Sequence, residues 1–266
     1  MCLLTAFLAP RTVTSPRSGP EGSICHSFSV TRAAYGPNRS PPGRVSLLSL
    51  TLRTGDPMER ALPLADEFLL LALRENDGRL LVQSSVVRAG LAGAFLSELT
   101  LAGRITLAGD HITVSDPSPL GDPDLDAALG RIAGESKPRK PEWWVSRLID
   151  NDLTKLRLAR LTELGILDAE AFRILGLIPS KRHPARDAGP ELEIRTRLAA
   201  ALDAGHADDR TTTLLALAHA SGLTSRLFGI KGRELRERVE RVTQHDWAGK
   251  AVGRVLSAAA LHAVLI

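Results

Sequence analysis

Three observations predict a mainly α protein, a compact multi-helix domain with two small β-hairpins. Leucine and alanine recur at helical spacing over most of residues 64–264, and two short alternating stretches flank turn residues. No run of strand, helix, strand occurs that would build a parallel sheet. Aromatic residues make up only 4% of the chain, so Leu, Ala and Val must fill the interior, which suits closely apposed helices.

In chain order, residues 1–57 are expected to contribute no element. They hold six arginines against Glu21 and Asp56, seven of the 16 prolines, both cysteines (Cys2 and Cys25) and the single tyrosine, Tyr35. From 11 to 45 neither helical period nor alternation is sustained, a composition that favours disorder. MCLLTAFLAP has a short apolar run with no basic residue before it, a poor secretory signal, and the Arg-rich start resembles a transit peptide without its amphipathic helix. Met58, the only other methionine, reads as the opening of the functional protein. Residues 1–57 are therefore expected to be a disordered leader or a mis-assigned start, and 58–266 the domain. A natively expressed N-terminal peptide from upstream of Met58, seen by mass spectrometry, would contradict this.

LADEFLLLALRE, from Leu64, is an amphipathic helix stopped by Asn76-Asp77-Gly78. Residues 85–102 are apolar nearly all round apart from Arg88 and Glu98, which predicts a buried helix. RITL and HITV form a hairpin about Ala108-Gly109-Asp110. A Pro/Asp/Gly loop runs into a helix near 123–134, and Pro141 opens a short helix at EWWVSRLI. Leucines at 153, 156, 158, 161 and 164 mark a helix closed by Gly165. FRILGLIPSKRHP loses the helical period at Gly176 and Pro179 and reads as an extended hairpin, and helices near 190–204, 210–221, 232–244 and 247–264 complete the chain.

The formal charge of +4 and the pI of about 9.4 do not imply a nucleic-acid partner, because all of that charge lies in residues 1–57 and the remainder is neutral. Within the remainder, 59–126 carries five basic and eleven acidic residues, whereas 137–186 carries eleven basic and six acidic. The longest uncharged stretches, 211–225 and 255–266, are too short to span a bilayer. No phosphate-cradling glycine loop, serine elbow or zinc-type histidine pair occurs, and neither cysteine belongs to a disulfide or metal set. His206, Asp208 and Asp209, and the pair His245 and Asp246, could act as ligands or acid/base partners, but they fit helix caps and solvated turns better. His219, on an otherwise apolar helix, reads as a hydrogen-bonded core histidine. No catalytic residue, metal or cofactor is expected.

LADEFLLLALRE, GLAGAFLSELTLAGRI, SDPSPLGDPDLDAAL, RLTELGILDAEAFRILGLIPSKRHP and LLALAHASGL, in that order over about 200 residues, resemble the Golgi phosphoprotein three-like family. The resemblance implies a helical domain that binds phosphatidylinositol 4-phosphate on a basic face, inserts a hydrophobic β-hairpin into the membrane and self-associates through it. The hairpin corresponds to FRILGLIPSKRHP, with Leu175, Leu177 and Ile178 at its tip and Lys181 and Arg182 behind them. The tryptophan and arginine that grip the head group in eukaryotic members fall on Gln83 and Ala92 here. Arg88, one turn before Ala92, is the nearest cation on that helix, and a further basic pair falls near Asn151 and Thr154. Lys155 is the nearest replacement for that pair, followed by Arg147 and Arg157.

The reading is a non-catalytic, cytoplasmic protein peripheral to the membrane, which associates with phosphoinositide or other anionic phospholipid head groups. Loss of the tryptophan and arginine predicts lower lipid specificity, and the Ala-, Arg- and Leu-rich composition is that of a high-GC bacterium. Two alternatives stay open: a homo-oligomeric interaction adaptor using the same hairpin without lipid, and an enzyme built on groups such as His206 and Asp208.

Overall fold

The computed structural model describes residues 62–174, 178–230 and 232–264. The chain divides into units over Met1–Arg53 and Thr54–Ile266, and all described residues belong to the second. The expectation for residues 1–57 thus lies outside the described residues, as do Leu175 and Leu177.

The order is α1 (Leu64–Ala72), α2 (Ser84–Leu101), a hairpin of β1 (Ile105–Ala108) and β2 (His111–Val114), α3 (Pro123–Ala133), α4 (Pro141–Leu148) and α5 (Leu153–Glu163). A second hairpin, β3 (Glu170–Ile174) and β4 (Ile178–Arg182), precedes α6 (Gly189–Ala204), α7 (Asp209–Ala220), α8 (Thr224–Leu227), α9 (Gly232–Thr243) and α10 (Ala248–Val264). The described residues are mainly α, with two antiparallel two-stranded sheets, as the periodicity predicts. Ile105 faces Val114 in the first hairpin, and Glu170 faces Arg182 in the second.

α2 is the central element, packing on α1, α4, α7 and α10. Its side chains from Ala89 to Ser97 are buried without interruption, consistent with its all-round apolar sequence. Two glycines permit that density. A Cβ on Gly90 would fall 2.0 Å from the Phe68 ring of α1, and one on Gly93 would fall 2.5 Å from Val252 of α10. Each fully buried leucine, such as Leu91 or Leu96, contributes about 1.5–3 kcal/mol to the core.

One boundary and one element differ from the periodicity. α1 ends at Ala72 rather than running on to Asn76, because Leu73 turns extended and bridges to Leu80. The tight loop that follows is closed by Arg74 N–H donating to the Arg79 carbonyl and by Arg79 N–H donating to Asp77. The four-residue helix α8 has no counterpart in the sequence reading, since one turn is too short to show a period.

Candidate lipid-facing site

On helix α5 the basic segment 137–186 meets the acidic segment 59–126 in the interior. Arg157 is fully buried. It grips Asp122 through two parallel bonds, Nη1–H to Oδ2 at 3.1 Å and Nη2–H to Oδ1 at 3.0 Å. Its Nη2 also lies 3.0 Å from Asp124 and its Nη1 3.6 Å from Asp66, while its guanidinium stacks 4.9 Å over the Phe95 ring. Arg160, one turn away in space, reaches Asp66 and Asp122 at 3.2 Å each. Arg157, expected among the head-group candidates, is therefore enclosed by three carboxylates rather than presented to a surface.

The carboxylates respond unequally to this enclosure. Burial drives Asp66 up to about 6 from its ordinary 3.8, against the attraction of Arg157 and Arg160. Burial acts to raise Asp122 too, but the hydrogen bonds from Arg157 and from the N–H groups of Leu125 and Asp124 hold it below the ordinary carboxylate range. Those two N–H bonds make Asp122 the N-cap of α3, with Pro123 in the first turn. One side chain thus starts a helix and anchors the buried ion cluster.

The other candidates separate from one another. Lys155 is exposed and pairs with Asp152 at 2.7 Å. Arg147, exposed on α4, lines a cavity between α3 and α4. Arg88 is half-buried near the start of α2, its Nε–H buried without a hydrogen-bond partner. Ala92, where the family resemblance calls for arginine, is fully buried, and the cation on this helix is Arg88, one turn nearer its N-terminus. Gln83 is the exposed residue preceding α2, Asn151 is exposed and Thr154 half-buried.

The hairpin and the start of α2 are tied together by backbone. Gly78, at φ +60°, packs so closely on His183 that a Cβ would lie 2.1 Å from its carbonyl carbon. Ala185 pairs with Leu167, and its N–H points at the Glu75 carbonyl. The connection into α2, which carries Gln83 and Arg88, is thereby clasped against the chain leaving β4. A cavity of about 690 Å³ lies at this junction, with Arg74, Glu75, Arg186, Glu191, Arg195 and Arg226 in its walls. Burial raises the Glu191 carboxyl, and its 3.3 Å pair with Arg195 opposes that rise. Arg182 is half-buried at the end of β4; β4 also carries Ile178 and Lys181, whose side chains lie outside the description.

Of the histidine and aspartate groups considered as catalytic, Asp208 and Asp246 hold structural positions. Asp208 caps α7, accepting from the N–H and Oγ1–H of Thr211 at 2.9 and 2.7 Å. Asp246 caps α10 through Gly249 N–H and also accepts from Thr213 Oγ1–H. His219 Nδ1 lies 3.1 Å from Thr224 Oγ1, and burial lowers its pKa. Among the described residues no cluster of three His, Cys, Asp or Glu side chains has metal-binding geometry.

A model of the family described as Golgi phosphoprotein 3 (GPP34) matches residues 64–259. Over 166 residues the chain is 28% identical to vacuolar protein sorting-associated protein 74 of Eremothecium gossypii, a match covering 54% of this chain and 50% of that protein. The chain thus spans about half the length of the curated relative it matches.

Proposed function

The chain belongs to the Golgi phosphoprotein 3 (GPP34) family, and on that premise we propose that it is a non-catalytic peripheral membrane protein that docks on anionic phospholipid. The observation that carries the reading is the ladder of β3 and β4. Ile174 pairs with Ile178 at one end and Glu170 with Arg182 at the other, and Leu175, Gly176 and Leu177 connect the strands. Ile178 and Lys181 are three residues apart, roughly 10 Å along a strand. That spacing matches the roughly 5–10 Å to which interfacial apolar groups enter the acyl boundary, with cations left at head-group depth. Among the described residues no helix is long and apolar enough to cross a membrane.

Arg88, with its unpartnered Nε–H, and Lys155 are the head-group ligands in this reading, and Arg182 adds charge at the hairpin base. Without tryptophan at Gln83 or arginine at Ala92, the attraction is mainly to charge. Vesicles of equal surface charge, one set carrying phosphatidylserine and the other phosphatidylinositol 4-phosphate, are expected to bind the full chain within about threefold of each other, since no stacking or bidentate contact distinguishes them. A preference above tenfold for the phosphoinositide would restore specific recognition.

A second reading rests on the two-stranded sheet itself. Neither β3 nor β4 pairs with another strand among the described residues, and such edges can pair with a second copy. If the hairpin serves only self-association, Leu177→Asp changes the mass measured by light scattering while neither form binds vesicles.

A further inference from the structure

The cavity between α3 and α4 has a volume of about 490 Å³ and is walled by Arg131, Gly134, Glu135, Trp143, Trp144 and Arg147. Its hydrogen-bonding groups are out of balance. Trp144 is only 2% exposed, yet its indole Nε1–H, which can only donate, has no acceptor in the protein. The single carboxylate in the wall, Glu135, is already met by Arg139 at 3.0 Å. Arg139 in turn lies 4.9 Å over the Trp143 ring, which abuts Trp144 edge-on at 4.7 Å. Arg131 and Arg147 are exposed, and neither has an ion-pair partner among the described residues. The cavity therefore presents two guanidinium groups without an ion-pair partner among the described residues, beside a tryptophan whose indole donor is buried without an acceptor.

We infer that this cavity binds a phosphate ester, its oxyanion held between Arg131 and Arg147. Guanidinium forks match the oxygen spacing of phosphate, and a tetrahedral group has enough oxygens to engage both arginines together. The Trp143 ring offers an apolar wall for the organic part of the ester. Of the head-group candidates read from the sequence the site takes Arg147 alone, and it needs none of Arg88, Lys155, Arg182 or the hairpin. A soluble phosphate ester and a phospholipid head group present the same chemistry here.

The protein carries its own reporter, because Trp143, Trp144 and Trp247 are its only tryptophans. Trp247→Phe in the full chain confines intrinsic fluorescence to the cavity. Titration at fixed ionic strength with glycerol 3-phosphate, with inositol 1,4-bisphosphate and with phosphatidic acid vesicles is expected to give a saturable change with at least one probe. Arg131→Ala combined with Arg147→Ala, both surface changes, is expected to weaken that binding by about tenfold or more. Saturation by the soluble esters identifies a soluble ligand, and saturation by vesicles alone identifies a head group. No saturable change with any probe, or binding untouched by the double arginine variant, overturns the inference. In Leu177→Asp protein, retained ester binding without vesicle flotation leaves this site standing and implicates only the hairpin.

Discussion

Arg157 is the residue on which sequence and structure part most sharply. In the sequence it is one more cation in a basic stretch; in the fold it is the fully buried centre of a cluster with Asp66, Asp122 and Asp124. Arg157→Ala leaves those carboxylates facing one another with only Arg160, and is expected to cost about 3–5 kcal/mol in urea unfolding. Asp66 gives the cluster a pH signature. It titrates near 6 when folded and near 3.8 when unfolded, so between those values the folded protein holds a proton that the unfolded chain has released. That contribution is complete at the acidic end of the window and is lost as pH rises through 6, at no more than about 1.4 kcal/mol per pH unit. Glu67, Glu191 and Asp246, also raised by burial, act in the same sense. His219, lowered by burial, acts in the opposite sense, so the check is a difference: between pH 5 and pH 7.5 the melting temperature of the wild type is expected to drop relative to that of Asp66→Asn, and equal slopes would contradict the assignment. No periodicity reveals such a cluster, because Asp122 is separated from Arg157 by 35 positions and the pairing is set by how α3 and α5 cross.

Among the elements, helices longer than two turns were legible and their limits nearly so, since an apolar stripe repeated over eight or more residues leaves few alternatives. The end of α1 was not, because the bridge from Leu73 to Leu80 is a tertiary preference that overrides a sequence equally able to continue the helix. Glycine positions show what each helix contact demands. Gly130, in α3, has nothing within 4 Å of where a Cβ would stand, whereas Gly249, in α10, would place one 2.7 Å from Ala216 Cβ and 2.9 Å from its backbone carbonyl. Gly130→Ala is expected to stabilise by about 0.5–1 kcal/mol through helix propensity. Gly249→Ala forces α10 away from α7 and is expected to destabilise by about 1–3 kcal/mol. Denaturant midpoints of the two variants should move in opposite directions, and a shared direction would mean that the two helix environments are alike.

Across the whole molecule, the opposition between an acidic 59–126 and a basic 137–186 changes meaning once folded. Lys140 meets Asp110 at 2.9 Å, and Arg157 and Arg160 meet Asp66 and Asp122, so part of that opposition is complementarity inside one domain. Lys137, Arg147 and Arg186 stay without an ion-pair partner among the described residues. The family was legible in five ordered strings, while the surroundings of the basic residues were not, because sequence spacing cannot distinguish a cation facing solvent from one facing an aspartate. The proposed docking would draw on charge and on the hairpin together, so binding should weaken as salt screens the first and fail when the second is broken. Flotation of the full chain with phosphatidylserine vesicles, wild type beside Leu177→Asp, tests this most directly. The account predicts that the wild type floats at low salt and less at 0.5 M salt, and that Leu177→Asp stays with the unbound protein while melting at the wild-type temperature. A wild type that does not float at low salt, or a Leu177→Asp variant that floats equally well, would contradict it.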